Sequence, residues 1–230
     1  NSIINPREYL ESNLIGFFNI IDLSKVYKIK HFIYASTSSV YGDSKKFPLK
    51  ENLNTDKPLS FYAATKKSNE VIAYSYSNIY NLPTTGLRFF TVYGPQGRPD
   101  MSLFKFVDAI TKNKRINLFN NGKHLRDFTF VDDVAKSIFK LINKKSKNKI
   151  PHQIFNVGSD NPVKLKEFVK VIENYLNKKA KINYLSLQKG DVYKTHASIE
   201  KLKKMIKCSP KTSINQGIKQ FVEWYFSYYA

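Results

Sequence analysis

The sequence predicts an α/β fold built on a parallel sheet with helices on both faces. Two observations carry that expectation. Short apolar runs such as HFIYAST (31–37) and QIFNVGS (153–159) alternate with longer segments of helical periodicity. Clusters of Pro, Gly, Asn and Asp punctuate the boundaries between them. A chain of 230 residues that is 42% hydrophobic can also bury a substantial core.

Each element has its own signature. The first helix spans 5–28: Asn5 is the expected cap, Pro6 suits the first position and Glu8 falls three after the cap. Leu10, Leu14, Phe17, Phe18 and Ile21 then recur at helical spacing. The apolar run 31–37 reads as a buried strand, and 42–60 as a polar, Pro-punctuated loop. A second helix, 61–81, is entered after Ser60, and TTGLRFFTVYG (84–94) is one strand closed by Gly94-Pro95. Residues 98–114 form a helix with Leu103, Phe106, Val107 and Ile110 on one face, and INLF (116–119) is a strand ending in the turn NNG. A helix follows Phe130, with Asp132 or Asp133 suited to capping its positive end. After the strand at 153–159 come a helix (164–179), a strand (181–186), a loop (187–195), a helix (198–206) and a last helix from Ser213. In such folds reactive groups gather beyond the carboxyl ends of the strands, where Thr37 and Phe90–Thr91 fall.

Composition narrows the class. No apolar run approaches the roughly 18 residues of a membrane span, no signal segment opens the chain, and the single Cys208 cannot form an internal disulfide. These features predict a cytoplasmic protein with no membrane partner. The net charge of +20 is mostly lysine, dispersed over helix ends and connecting segments, and reads as solvated surface. Nucleic acid is the alternative that such a charge allows. His31, His124, His152 and His196 lack metal-ligand spacing, so no metal site is expected.

The chemistry concentrates in STSSVYG (36–42) and YAATK (62–66). A phenol ionises near pH 10, so a tyrosine serving as a base near neutrality must be lowered by about three pH units, or roughly 4 kcal/mol. An ammonium beside it favours the phenolate. Tyr62 and Lys66, four apart, share one face of a helix, and Thr37 or Ser38 offers a hydroxyl to the oxygen being deprotonated. Alone, a Tyr–Lys pair at this spacing is commonplace; the hydroxyl-rich strand end before it gives it weight.

With these residues the chain resembles the extended short-chain dehydrogenase/reductases of the NAD-dependent nucleotide-sugar epimerase/dehydratase group. LRFFTVYGPQGRPDM (87–101), RDFTFVDDV (126–134) and QKGDV (188–192) are most similar to the UDP-glucuronate 4-epimerases. The resemblance covers nearly the whole chain. It implies a partial Rossmann-type sheet plus a smaller C-terminal substrate-binding lobe. Residues 1–94 and 126–160 would belong to the former, 95–125 and 161–230 to the latter. It also implies Thr37, Tyr62 and Lys66 as the catalytic set. Tyr62 would take the proton from a UDP-sugar 4-hydroxyl while NAD accepts hydride from C4, and a 4-keto sugar would turn over and be reduced on its opposite face. Asn13 and Phe90, with Thr37, Tyr62 and Lys66, would contact NAD.

For the substrate the resemblance implies Ser38, Ser39 and Thr91, with Arg98 facing a sugar carboxylate. Asn117, Leu118 and Phe119 would hold uracil, Arg126 the diphosphate, and Gln188 and Asp191 the nucleotide. Dehydratases carry Asp-Glu where this chain has Ser38-Ser39, which argues against dehydration. The family's Gly-rich NAD-binding turn has no counterpart in these 230 residues, so a missing N-terminal part and an inactive isolated chain are expected. The competing readings are a UDP-N-acetylhexosamine 4-epimerase and a non-catalytic basic RNA-binding module. A homodimer is implied through the helices carrying Pro6 and Tyr62, with Leu10, Leu14, Val71, Tyr74 and Ile79 divided between core and seam.

Overall fold

The computed structural model describes residues 2–187 and 192–229. The chain forms two compact units: Asn1–Phe90, Ser137–Val157 and Ala197–Ser209 make the first, and Thr91–Lys136, Gly158–His196 and Pro210–Ala230 the second.

The first unit is a Rossmann-type layer. Strands β1 (Phe32–Thr37), β2 (Thr84–Phe89) and β6 (His152–Val157) lie side by side, all parallel and in register, with Phe32 beside Thr84 and Thr84 beside His152. Every strand start therefore sits at one end of the sheet and every strand end, Thr37 included, at the other. The entry helix is not the single element expected. α1 (Pro6–Tyr9) passes into a π-helical turn, Leu10–Ile15, before α2 (Gly16–Val26), and Asn5 makes no side-chain cap. Such π segments occur mostly as single turns within helices, frequently at functional sites. α3 (Phe61–Tyr80) begins where expected, with Ser60 Oγ accepting from Ala63 N at 3.2 Å, and ends as Asn81 turns left-handed. Ile21, Phe32, Tyr34, Ala73 and Leu82 form its apolar layer against the sheet. Gly86 is required on β2, because a Cβ there would lie 2.7 Å from the Tyr34 hydroxyl. α7 (Glu200–Ile206) packs on β6.

The second unit holds two small sheets. β3 (Thr91–Tyr93) runs parallel to β5 (Leu125–Phe130), and β5 runs antiparallel to β7 (Pro162–Lys164). β4 (Arg115–Phe119) pairs in parallel with β8 (Lys181–Leu185). Thus the expected strand 84–94 is two strands in different sheets, broken at Phe90, and β5 is a strand where the sequence suggested only an approach to a helix. α4 (Ser102–Thr111), α6 (Leu165–Leu176) and α8 (Ile214–Tyr229) close over a core that includes Phe104, Phe128, Phe168, Ile172 and Phe221. α5 (Val131–Leu141) carries the chain from the second unit into the first. The Asp133 carboxylate accepts from Lys211 N (3.0 Å) and Thr212 N (2.8 Å), fixing the entry to α8.

Candidate active site

In the first unit, the end of β1 and the first turns of α3 hold the hydroxyl cluster and the Tyr–Lys pair. Thr37 is buried at the last position of β1, and its Oγ1 accepts from Ser39 N at 3.2 Å, starting a short 3-10 turn over Ser38–Tyr41. Its own proton points to Ser39 Oγ at 3.2 Å, long for a hydroxyl pair and so readily exchanged for another acceptor. Ser38 is half-buried and Ser39 exposed.

Tyr62, Lys66 and Glu70 form a stripe at i, i+4 and i+8 on α3. Lys66 Nζ donates to the carbonyl of Ala35 at 3.2 Å, on the strand that ends at Thr37. Burial lowers the Lys66 pKa, an expense that an anion beside the ammonium would relieve. Tyr62 is half-buried, with the Tyr9 ring edge-on at 6.0 Å. Asn13, in the π turn, reaches the same helix: its Nδ2 donates to Thr65 Oγ1 at 3.0 Å, and that hydroxyl donates to the Tyr62 carbonyl at 2.8 Å. Phe90 is buried with Val40, Tyr41 and Leu49, its N–H on the Val157 carbonyl.

One network was invisible in the sequence. Glu70 (4% exposed) and Arg88 (3%) make a bidentate pair, both contacts 2.9 Å, and Ser36 Oγ donates to Glu70 at 2.6 Å. Arg88 also reaches the Tyr41 hydroxyl (3.0 Å), which donates to Asn156 Oδ1 (2.7 Å). These groups pin α3 to β1 and β2 one turn behind Lys66. The available signal was an arginine inside an apolar strand, which demands a buried counter-charge.

In the second unit, a cavity of about 690 Å³ is lined by Thr91, Asp100, Asn117, Phe119 and Arg126 among others. The side chain of Leu118, between Asn117 and Phe119, is wholly buried in the core. Arg126 Nη1 donates to the carbonyls of Leu125 (3.1 Å) and Tyr193 (3.2 Å). Arg98 is 73% exposed, and its fork is filled by a neighbour: Nε contacts Asp100 Oδ1 at 2.9 Å and Nη2 contacts Oδ2 at 2.5 Å. The guanidinium holds the Asp100 carboxyl below its usual range. Gln188 and Asp191 lie outside the described residues.

The profile of the NAD dependent epimerase/dehydratase family matches residues 1–158. The chain belongs to this family. It is 50% identical to Protein CapI of Staphylococcus aureus, covering 99% of this chain and 72% of that protein. It is 42% identical to a probable UDP-glucuronate 4-epimerase of Rhizobium meliloti, over 97% of this chain and 70% of that one. Its fold matches the crystal structure of UDP-glucuronic acid 4-epimerase from Bacillus cereus in complex with UDP-glucuronic acid and NAD. The TM-score is 0.90 at 29% identity, over 97% of this chain and 70% of that one. The family is NAD-dependent. The donors present fit the ribose and nicotinamide end of that cofactor. Lys66 keeps two of its three N–H donors beyond the bond to Ala35, and the Tyr62 hydroxyl has no hydrogen-bond partner among the described residues.

Proposed function

We propose that this protein epimerises a UDP-sugar at C4, with UDP-glucuronate and UDP-galacturonate as the pair interconverted. The observation that carries the reading is the α3 stripe: a tyrosine with an uncommitted hydroxyl, one turn before a desolvated lysine anchored to the strand that ends in Thr37. Lys66, Tyr62, Asn13 and Phe90 would hold NAD, which supplies a hydride acceptor and donor when bound.

The chain's own part is proton transfer and positioning. Tyr62 Oη takes the proton of the sugar 4-hydroxyl and later returns one, so the residue ends as it began. Lys66 favours the charged form of that phenol. Thr37 turns its hydroxyl from Ser39 Oγ to the sugar 4-oxygen, giving up only a weak bond. Ser38 and Ser39 contribute further hydroxyls and no carboxylate, which leaves epimerisation without an acid for eliminating water. In the second unit, Thr91 contacts the sugar, Asn117 and Phe119 the uracil, and Arg126 the diphosphate. Gln188 and Asp191 add contacts to the nucleotide.

The uronate preference rests on Arg98. A guanidinium already paired bidentately with Asp100 shows a fork oriented for a carboxylate, and the substrate's acid takes Asp100's place. Replacing Arg98 by alanine should raise Kd for UDP-glucuronate about tenfold while leaving UDP-N-acetylglucosamine binding nearly unchanged, as titration calorimetry on both nucleotides would read. Equal loss on both would remove the uronate assignment and favour a UDP-N-acetylhexosamine substrate.

A further inference from the structure

The strand-start end of the first unit carries a feature that C4 epimerisation does not use. In the register of β1, β2 and β6, the segments before Phe32 and before His152 emerge together, and His31 Nδ1 donates to the Ile142 carbonyl at 2.8 Å to tie them. Lys28 and Lys30 come from one segment; Lys140, Lys144, Lys145, Lys147 and Lys149 come from the other, and all seven are exposed. No aspartate or glutamate occurs in 23–42, 71–99 or 134–159 to offset them. Among these ammonium groups stand Tyr27 (76% exposed) and Phe139 (75%), with Val26 and Ile142 also exposed.

Lysines at helix C-termini complement the backbone dipole, but that role needs one or two of them and gives no reason for aromatic rings in water. We propose that this end of the first unit is a peripheral docking surface for an anionic lipid bilayer. The lysines would lie at the headgroup phosphates, with Phe139, Tyr27 and Ile142 entering the boundary between headgroups and acyl chains. Charge complementarity selects the partner, and side-chain type selects lipid over nucleic acid. The seven cations include no arginine fork for bases or phosphates, and Val26 and Ile142 have no π-face on which a base could stack. Thr37 lies at the far end of the same sheet, roughly 20 Å away for six strand residues, so a docked molecule keeps its reactive edge clear of the bilayer. Pattern alone offers no reason to expect a membrane partner, because only the strand register brings Tyr27 and Phe139 to one end.

Vesicle flotation of this chain tests the proposal, using phosphatidylcholine alone and phosphatidylcholine mixed with phosphatidylglycerol. The protein should float with the mixed vesicles and not with the neutral ones. Each lysine at an anionic surface strengthens partitioning about fivefold, so changing Lys144, Lys145, Lys147 and Lys149 together to glutamate should lower it by more than about a hundredfold. Phe139→Ser with Tyr27→Ser, which keeps every charge, should lower it about tenfold. Circular dichroism checks that both variants are folded. Equal flotation with neutral vesicles, no flotation with mixed ones, or RNA binding that outcompetes the vesicles and ignores Phe139→Ser would overturn the assignment.

Discussion

Arg98 and Asp100 form the contact at residue scale with the most direct consequence for specificity. If a substrate carboxylate replaces Asp100 in the guanidinium fork, Asp100 is a competitor built into the chain. Asp100→Asn should then tighten UDP-glucuronate binding. The gain should be no more than about fivefold, since an exposed ion pair is worth at most about 1 kcal/mol. Calorimetric titration reads this directly, and weaker binding in the variant would show that Asp100 supports Arg98 rather than opposing the ligand. The position of Thr37 at a strand end and of Tyr62 and Lys66 on one helix face was legible in the sequence, because both patterns are local. Asp100's hold on Arg98 was not, although the two are only two residues apart: loop side chains have no periodicity from which to infer their direction.

At the scale of elements, α3 is set by charge as much as by apolar packing. Glu70→Gln leaves the Arg88 guanidinium buried without its counter-ion, and loss of one partner from a buried pair costs about 3–5 kcal/mol. The urea midpoint should fall accordingly, whereas Glu70→Leu combined with Arg88→Met should recover most of the loss. A single Glu70→Gln variant as stable as the parent would mean that the pair does not fix the helix. The alternation of helices and strands, the Ser60 cap of α3 and the apolar face of α4 were all readable from pattern. Three features were not. The π turn at Leu10–Ile15 keeps the same apolar spacing as an α-helix to within one residue. The break at Phe90 lies inside a continuous apolar run that serves two sheets. β5, in RDFTF, pairs with partners distant in sequence. Each depends on long-range pairing, to which local propensity is blind.

For the molecule as a whole, one imidazole makes stability depend on pH between neutrality and pH 5. Burial holds His152 down at about 4, with Lys201 and Arg88 adding to the effect and Glu70 opposing it. The unfolded chain protonates this group first as pH falls through about 6.5. Its contribution to stability is thus complete above that pH, declines down to about 4 and is constant below. About 2 kcal/mol should be lost between pH 7.5 and pH 5, and His152→Asn should lack that component. A parallel decline in parent and variant would assign the loss elsewhere. The exposed Leu10, Val71, Tyr74 and Ile79 on the entry helix and α3 are available to a seam between two copies, and sedimentation equilibrium would detect it.

On the proposed function, Tyr62 moves the proton of a sugar-nucleotide 4-hydroxyl. Conversion of UDP-glucuronate to UDP-galacturonate by the protein with NAD, followed by proton NMR beside the Tyr62→Phe variant, tests that role. The parent should convert the substrate and the variant should be slower by about 10²–10⁴, with UDP-glucuronate binding retained. Absence of UDP-galacturonate from the parent reaction, or equal rates for the two proteins, would contradict it.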